Sequence, residues 1–187
     1  MSQPHANERY TLAARLLHWL MAAGFVFMWG CGYTMAELVE EDSPLEELLF
    51  DLHIATGVTL AVLLLVRLWV RLRNAPPPLP PGLPPIERIG AHVGHWTLYV
   101  FPAIVIAIGW AETNISGHTV HWYGGIPMPA LFPTVEGAFG EFVGGWAETL
   151  HMWFAYTMLG VAVVHVAGAV KHRIEGNDVL YRMTIGR

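Results

Sequence analysis

The stretch from Thr149 to Val170 reads TLHMWFAYTMLGVAVVHVAGAV and contains no aspartate, glutamate, lysine or arginine. Its 22 residues are enough to cross the hydrocarbon core of a bilayer, which takes about 20 helical residues. Two histidines, His151 and His165, interrupt this apolar run. The stretch therefore predicts a membrane-spanning helix with ionisable side chains, a combination that is rare and usually functional.

Three further charge-free stretches precede it, at Leu16–Met35, Leu52–Val66 and Ile89–Ala111. The second has only 15 residues, but it continues past Arg67, whose long side chain can reach the interface from a helix end. The whole chain of 187 residues is 13% charged, against about 25% in soluble domains. We expect one domain, 1–187, with four transmembrane helices near 13–35, 51–72, 88–111 and 147–171.

The charged residues divide between two sides of this predicted bundle. All ten basic residues lie at or near the N-terminus, the second connection or the C-terminus, whereas the first and third connections contain acids and no base. Short loops rich in lysine and arginine mark the cytoplasmic side, which places both termini there. This topology accounts for the basic residues without a nucleic-acid partner. Because the first two connections are short, we expect an all-α, up-down-up-down transmembrane four-helix bundle surrounded by lipid.

Six histidines lie within the predicted helices, and every helix has at least one: His18, His53, His92, His95, His151 and His165. A single histidine can simply hydrogen-bond a neighbouring helix, but six in four helices favour a ligand role. His151 and His165 are 14 residues apart, which is a rotation of about 1400°, close to four full turns. They therefore face the same way about 21 Å apart, as two cofactors at two depths would require.

Matching depths suggest which histidines form pairs. A six-coordinate b-type haem needs two axial nitrogens, and His53 lies at the depth of His151. His165 lies at the depth of both His18 and His95, and spacing leaves that choice open. The single cysteine of the chain excludes an iron–sulfur cluster and the covalent attachment of c-type haem.

The histidines and their flanking motifs resemble those of the bacterial cytochrome b561 family of four-helix, di-haem, quinone-linked proteins. The matching motifs are His18-Trp19-Leu20, His53 with Gly57, Val66–Leu72 before the prolines, His92-x-x-His95, Trp122-Tyr123-Gly124 to Pro127-x-Pro129, and His151 with His165. The resemblance implies a multi-pass protein of the bacterial inner membrane with two haem b groups. It also selects the haem ligands, which would be His18, His53, His151 and His165.

The resemblance further implies electron-transfer oxidoreductase chemistry. Electrons would cross the membrane between a donor on the periplasmic side, either superoxide or a redox protein, and the quinone pool. The cytochrome b subunits of hydrogenases and formate dehydrogenases are similar too, so a haem-bearing anchor subunit of a dehydrogenase complex is one alternative. A haem-free ion permease lined by histidines is an alternative of another class.

Basic residues at the inner ends of the helices are candidates for binding haem propionates. Arg67 lies 14 residues after His53, on nearly the same face but at the inner end. We expect Arg67, with Arg15 or Arg71, to form charge-assisted hydrogen bonds to the inner haem. Simple anchoring of the helix at the cytoplasmic surface is the alternative for these arginines, and about equally so for Arg71.

For the remaining histidines the sequence leaves more than one role open. His92 and His95 share a helix face near the inner haem, where an imidazole could serve quinone reduction or only a hydrogen bond. The outer haem has no basic residue on its side. Its propionates are expected to meet water, backbone amides or polar groups of the third connection, such as those of Asn114, Ser116, His118 and His121.

Overall fold

The computed structural model describes residues 9–79, 82–176 and 179–184. It contains four long helices, α1 (Leu12–Glu37), α2 (Pro44–Arg73), α3 (Pro85–Ile115) and α4 (Gly137–Ile174). Each is long and apolar enough to cross a membrane. The predicted all-α four-helix fold is thus confirmed. Arg187, one of the ten basic residues, lies outside the described residues, and so do two prolines of the second connection, Pro80 and Pro81.

Helices α2 and α4 begin earlier than the apolar pattern predicts. The Ser43 side chain caps α2 by accepting a hydrogen bond from the Glu46 backbone, and Pro44 occupies the first turn. Much of the acidic first connection is therefore helical. Helix α4 starts at Gly137 instead of near 147, and takes up the end of the third connection. A charge-free run indicates only the part of a helix that lies in the hydrocarbon core. It does not indicate the helical turns that extend beyond the bilayer.

The four helices pack as two pairs, α1 with α2 and α3 with α4, and α2 contacts α3 over a smaller surface. Within the described residues, α4 has no comparably extensive contact with α1 or α2. A small core of Met21, Leu60 and Leu64 lies between α1 and α2. Gly24 permits this close approach, because a Cβ atom there would lie 2.8 Å from Leu60 Cδ2.

Hydrogen bonds between helix ends show that neighbouring helices run antiparallel. Lys171, near the end of α4, donates to Glu87 at the start of α3 over 2.8 Å. Arg67, near the end of α2, donates to His18 near the start of α1 over 3.1 Å. All the basic residues that the structure describes therefore lie toward one end of the bundle, here called the basic side, and the opposite end is the acidic side.

Each side is closed by a short non-helical segment. On the acidic side, β1 (His121–Trp122) and β2 (Ile126–Pro127) form an antiparallel hairpin with a turn at Tyr123–Gly125. On the basic side, a 3-10 turn at Tyr181–Met183 brings the C-terminal segment against the start of α1. The indole of Trp19 donates to the Met183 carbonyl there over 2.7 Å.

We expect Gly24→Val to destabilise the α1–α2 pair by about 1–3 kcal/mol, because the new side chain overlaps Leu60, which is only 2% exposed. The matched control is Gly30→Val on the same helix, where a Cβ would meet nothing within 4 Å. Thermal unfolding in detergent measures the effect. Equal unfolding midpoints for the two variants would contradict the assigned contact.

Candidate functional site

A histidine pair lies toward the acidic side of the bundle. His53 of α2 and His151 of α4 have ring centroids 6.0 Å apart. The His151 Nδ1–H donates to the Val105 carbonyl of α3 over 3.0 Å, which leaves Nε2 with its lone pair available. Gly109 lies against the same ring, since a Cβ there would be 2.9 Å from His151 Cε1. Helix α3 thus holds the His151 imidazole in one orientation and one tautomer.

The other member of the pair, His53, has a buried Nδ1 without a hydrogen-bond partner among the described residues. The carbonyl one turn before it, that of Leu49, accepts from the Cys31 thiol over 3.2 Å. Gly32 lies beside the ring, where a Cβ would be 3.4 Å from His53 Cε1. An unpaired imidazole nitrogen in the bundle is costly, and ligation of this ring would offset that cost.

Three histidines meet toward the basic side. The His165 ring of α4 lies 6.3 Å from His18 of α1 and 5.6 Å from His95 of α3, measured between centroids. The structure, like the spacing along the helices, therefore does not decide whether His18 or His95 is the partner of His165. His92 does not join this group, contrary to expectation. It is exposed, and its Nδ1–H donates to the Arg88 carbonyl of its own helix over 2.8 Å.

Arg67 makes the most informative contact of the basic-side group. Its Nη2 donates to His18 Nδ1 over 3.1 Å, and its guanidinium lies 5.6 Å from the centroid of the Tyr99 ring. Because a guanidinium can only donate, His18 accepts at Nδ1 and carries its proton on Nε2. The Arg67 side chain therefore lies where it can reach both the histidine group and the cavity next to it.

That cavity has a volume of about 70 Å³ and is lined by both Arg67 and Arg71. Arg71 Nη1 is buried there and has no hydrogen-bond partner among the described residues. Burial raises the pKa of the Tyr10 phenol at the same cavity, so it stays neutral near pH 7. Tyr99 and Met183 also line it. The arrangement suits an anionic group such as a carboxylate.

Sequence reasoning missed the tyrosines and the C-terminal segment at this cavity. Tyr10 and Tyr99 are isolated aromatic residues, for which no spacing argument predicts a shared location. Arg15, expected beside Arg67, instead donates from Nη1 to the Thr184 carbonyl of the C-terminal segment over 2.7 Å. Its Nε is buried without a partner in the described part of the chain. The sequence of a short segment after a helix does not indicate that the segment folds back against the start of another helix.

The structure places the four polar residues of the third connection, which are candidate partners of an outer haem propionate, in different surroundings. Asn114 is buried, and its Oδ1 accepts from the backbone N–H groups of Leu131 and Phe132. His118 packs on the Phe50 ring at 6.5 Å, and His121 lies within the exposed hairpin. Ser116 lines an acidic cavity of about 550 Å³ together with four carboxylates, from Glu112, Glu136, Glu141 and Glu148. An anion would be repelled there.

One further cluster of potential metal ligands appears among the described residues, formed by Glu87, His172 and Glu175 on the basic side. The Lys171 amine bonds both carboxylates, at 2.8 Å to Glu87 and 3.0 Å to Glu175. His172 lies 3.8 Å from Glu87 and 3.6 Å from Glu175. The cluster already contains a cation and joins the start of α3 to the end of α4, which is a structural role.

Comparison with known proteins agrees with the histidine arrangement. The family model described as prokaryotic cytochrome b561 matches residues 9–186. The chain belongs to this family. A relative from Escherichia coli K12, cytochrome b561 homolog 2, is 29% identical over 184 residues, which cover 98% of this chain and 95% of that protein. The family resemblance read from the sequence motifs is thus confirmed.

Membership makes the chain a multi-pass protein of the bacterial inner membrane, and it implies haem b and electron transport. The residues fit such a group. An imidazole that binds a metal ion has a nitrogen–metal bond of about 2 Å, and that nitrogen lies about 1 Å from the centre of its ring. Two imidazoles on opposite sides of one metal ion would therefore have centroids about 6 Å apart. The observed separations are 6.0 Å for His53 and His151 and 6.3 Å for His18 and His165.

We expect Gly109→Ala to displace the His151 ring and break its hydrogen bond to Val105. Outer-shell changes of this kind weaken metal binding by about 10- to 100-fold, so haem retained per polypeptide after purification falls. Gly160→Ala on α4 is the control, because a Cβ there meets nothing within 4 Å. Absorbance of the reduced protein measures haem content. Equal losses in both variants would contradict the assigned contact.

Proposed function

We propose that this protein is a di-haem b-type cytochrome that transfers electrons across the inner membrane between a periplasmic donor and the quinone pool. One observation carries the proposal: His151 and His165 on the same helix each face a histidine of another helix, toward opposite sides of the bundle. Family membership favours this function over a haem-free permease. Co-purification with a second subunit would instead favour the anchor of a dehydrogenase complex.

In this proposal His53 and His151 hold the acidic-side haem, and His18 and His165 hold the other. Haem supplies a one-electron change between ferric and ferrous iron when bound. The Val105 carbonyl fixes the His151 tautomer and increases the basicity of its Nε2. Helix α4 has few backbone contacts with α1 and α2, although these helices carry the histidines that face His165 and His151.

To hold a haem iron through Nε2, His18 would carry its proton on Nδ1, and the Arg67 guanidinium would then donate to another acceptor. A propionate is the natural replacement partner for this guanidinium, because a charge-assisted bond to a carboxylate is stronger than one to neutral imidazole. The unpaired Arg71 Nη1 borders the same cavity and offers a second donor. Arg15 is a weaker candidate, since its Nη1 already bonds Thr184.

The charge distribution supports an orientation and a class of donor. We place the basic side in the cytoplasm by the positive-inside rule, which puts the acidic side in the periplasm. The cavity lined by four glutamates and the acidic first connection repel an anion such as superoxide and attract a basic redox protein. On the cytoplasmic side, His95 lies against His165 and is the candidate for passing a proton to quinone.

The haem-to-polypeptide ratio tests the proposal directly. We expect two haems per chain, and about one in His53→Ala and in His165→Ala, because each variant removes an axial ligand. His18→Ala should also lose one, whereas His95→Ala and the exposed control His121→Ala should keep two. Pyridine haemochrome spectra with a protein assay measure the ratio. One haem in the unaltered protein would refute the di-haem assignment, and a loss in His95→Ala alone would make His95 the ligand.

We expect Arg67→Leu to lower the potential of one haem by on the order of 59 mV, a tenfold change in the one-electron equilibrium. Removing a positive charge near the iron stabilises the ferric state. The matched control is Arg73→Leu at the exposed end of the same helix, where the guanidinium lies over Trp69 at 5.5 Å. Redox titration followed by absorbance measures both variants. Equal potentials in Arg67→Leu and Arg73→Leu would argue against a role at the haem.

A further inference from the structure

The acidic-side hairpin contacts α2 well inside the apolar part of that helix. Tyr123 Oη and Thr56 Oγ1 are 2.8 Å apart, and Trp122 Nε1 donates to Thr59 Oγ1 over 2.9 Å. Thr59 follows the last charged residue at this end, Asp51, by eight residues, which is about 12 Å along the helix axis. The hairpin therefore lies beside α2 and not above its end.

The bilayer boundary on α2 lies close to Leu52. The charge-free run that begins there has only 15 residues before Arg67, fewer than the roughly 20 that span a hydrocarbon core. A boundary further along the helix would force more of the charged basic-side end into hydrocarbon, which is costly. Thr56 and Thr59 are thus at membrane depth, and so are the side chains that bond them.

The face of α2 that the hairpin covers is elsewhere exposed to lipid. Thr59 and Val66 share this face, because seven residues rotate by about 700°, nearly two full turns. Val62, one turn inward of Thr59, is 50% exposed, and Val66 is 41% exposed. In a transmembrane helix these two valines contact acyl chains. The hairpin covers the acidic-side end of the same stripe, so its outer surface continues the lipid-facing surface of the bundle.

The side chains of the hairpin suit a lipid environment. From Trp122 to Pro133 the chain has no Asp, Glu, Lys, Arg or His, and the one histidine of the hairpin, His121, lies at its open end. The side chains of Trp122, Tyr123 and Ile126 are exposed, and Ile126 is 53% exposed. Tryptophan and tyrosine concentrate at the boundary between headgroups and acyl chains.

Several backbone groups of the hairpin have the partners within the protein that polar groups in a membrane require. Trp122 pairs with Ile126 across the two strands, and the Met128 N–H donates to the Val120 carbonyl over 2.8 Å. Prolines at three positions remove N–H donors: Pro127, Pro129 and Pro133. The Pro129 carbonyl accepts from the Trp110 indole of α3 over 3.3 Å.

We propose that the β1–β2 hairpin is a re-entrant membrane anchor whose partner is lipid. It lies in the acidic-side leaflet, on the acyl-chain side of the headgroup boundary, and the Thr56 and Thr59 hydroxyls hold it to α2. These two threonines are polar residues on a stripe that otherwise faces lipid, and the hairpin explains their presence there.

A nitroxide at position 126 tests the lipid contact in vesicles of phosphatidylcholine and phosphatidylglycerol. Ile126→Cys is labelled in a Cys31→Ala chain, and accessibility to oxygen is compared with accessibility to the polar reagent nickel EDDA. Leu65→Cys on the exposed apolar surface of α2 is the lipid reference, and Glu41→Cys in the first connection is the water reference. We expect the oxygen-to-nickel ratio at 126 to exceed that at 41 several-fold. A ratio equal to that at 41 would overturn the proposal.

A second copy of the chain is the rival occupant of this surface. If it covers the hairpin, the label at Ile126→Cys shows dipolar broadening that disappears on dilution with unlabelled protein. That result would overturn lipid as the partner. Narrow spectra that do not change on dilution, together with the high ratio, support the membrane anchor.

The threonine contact is tested with Thr59→Val in the chain labelled at Ile126→Cys. We expect the oxygen-to-nickel ratio to fall several-fold, because the Trp122 indole loses its acceptor and the hairpin moves toward water. Thr157→Val is the matched control, since its hydroxyl donates only to the Trp153 carbonyl one turn earlier in α4. An unchanged ratio in Thr59→Val would refute the role assigned to this hydroxyl.

Discussion

Polar groups within a bilayer have no water to bind, so each must find its partner inside the protein. The threonines of the spans follow this constraint. Threonine hydroxyls on three helices donate to the carbonyl one turn earlier, as seen at Thr59, Thr97, Thr113, Thr149 and Thr157. His151 follows it too, because its Nδ1–H donates to the Val105 carbonyl of the neighbouring helix. The constraint also accounts for the paired backbone of the acidic-side hairpin.

The two histidine groups satisfy this constraint differently. On the acidic side a backbone carbonyl, that of Val105, orients His151, and the arginines and lysine that the structure describes all lie toward the other side. On the basic side a guanidinium, that of Arg67, contacts His18 and borders a cavity with a second arginine. A neutral carbonyl and a positive charge affect a nearby iron in opposite ways, since the charge favours the ferrous state. In the di-haem proposal this difference would give the two haems distinct potentials and a direction for electron flow.

The sequence predicted the existence of the helices more reliably than their ends. Helix α4 begins at Gly137, whereas the apolar run predicted a start near residue 147. The difference arises because the first turns of the helix lie outside the apolar run, where hydropathy does not indicate a helix. His92 and His95 share a face on a helical wheel, yet only His95 contacts His165, because one turn along α3 places His92 at the exposed helix start. Asn114 shows the same limit, because its polarity made it a candidate partner of a haem propionate, whereas its Oδ1 accepts hydrogen bonds from the backbone of the third connection.

What the sequence determined by itself follows from one-dimensional regularities. The length of apolar runs determines four spans, the sign of charge in the connections determines two sides, and the helical repeat places His151 and His165 on one face. Only the tertiary structure decided which residues of different helices meet. It brought Arg67 to His18, Val105 to His151 and the hairpin to Thr56 and Thr59. These contacts depend on how each helix is rotated and which neighbour it packs against, and no periodicity within a single helix specifies that.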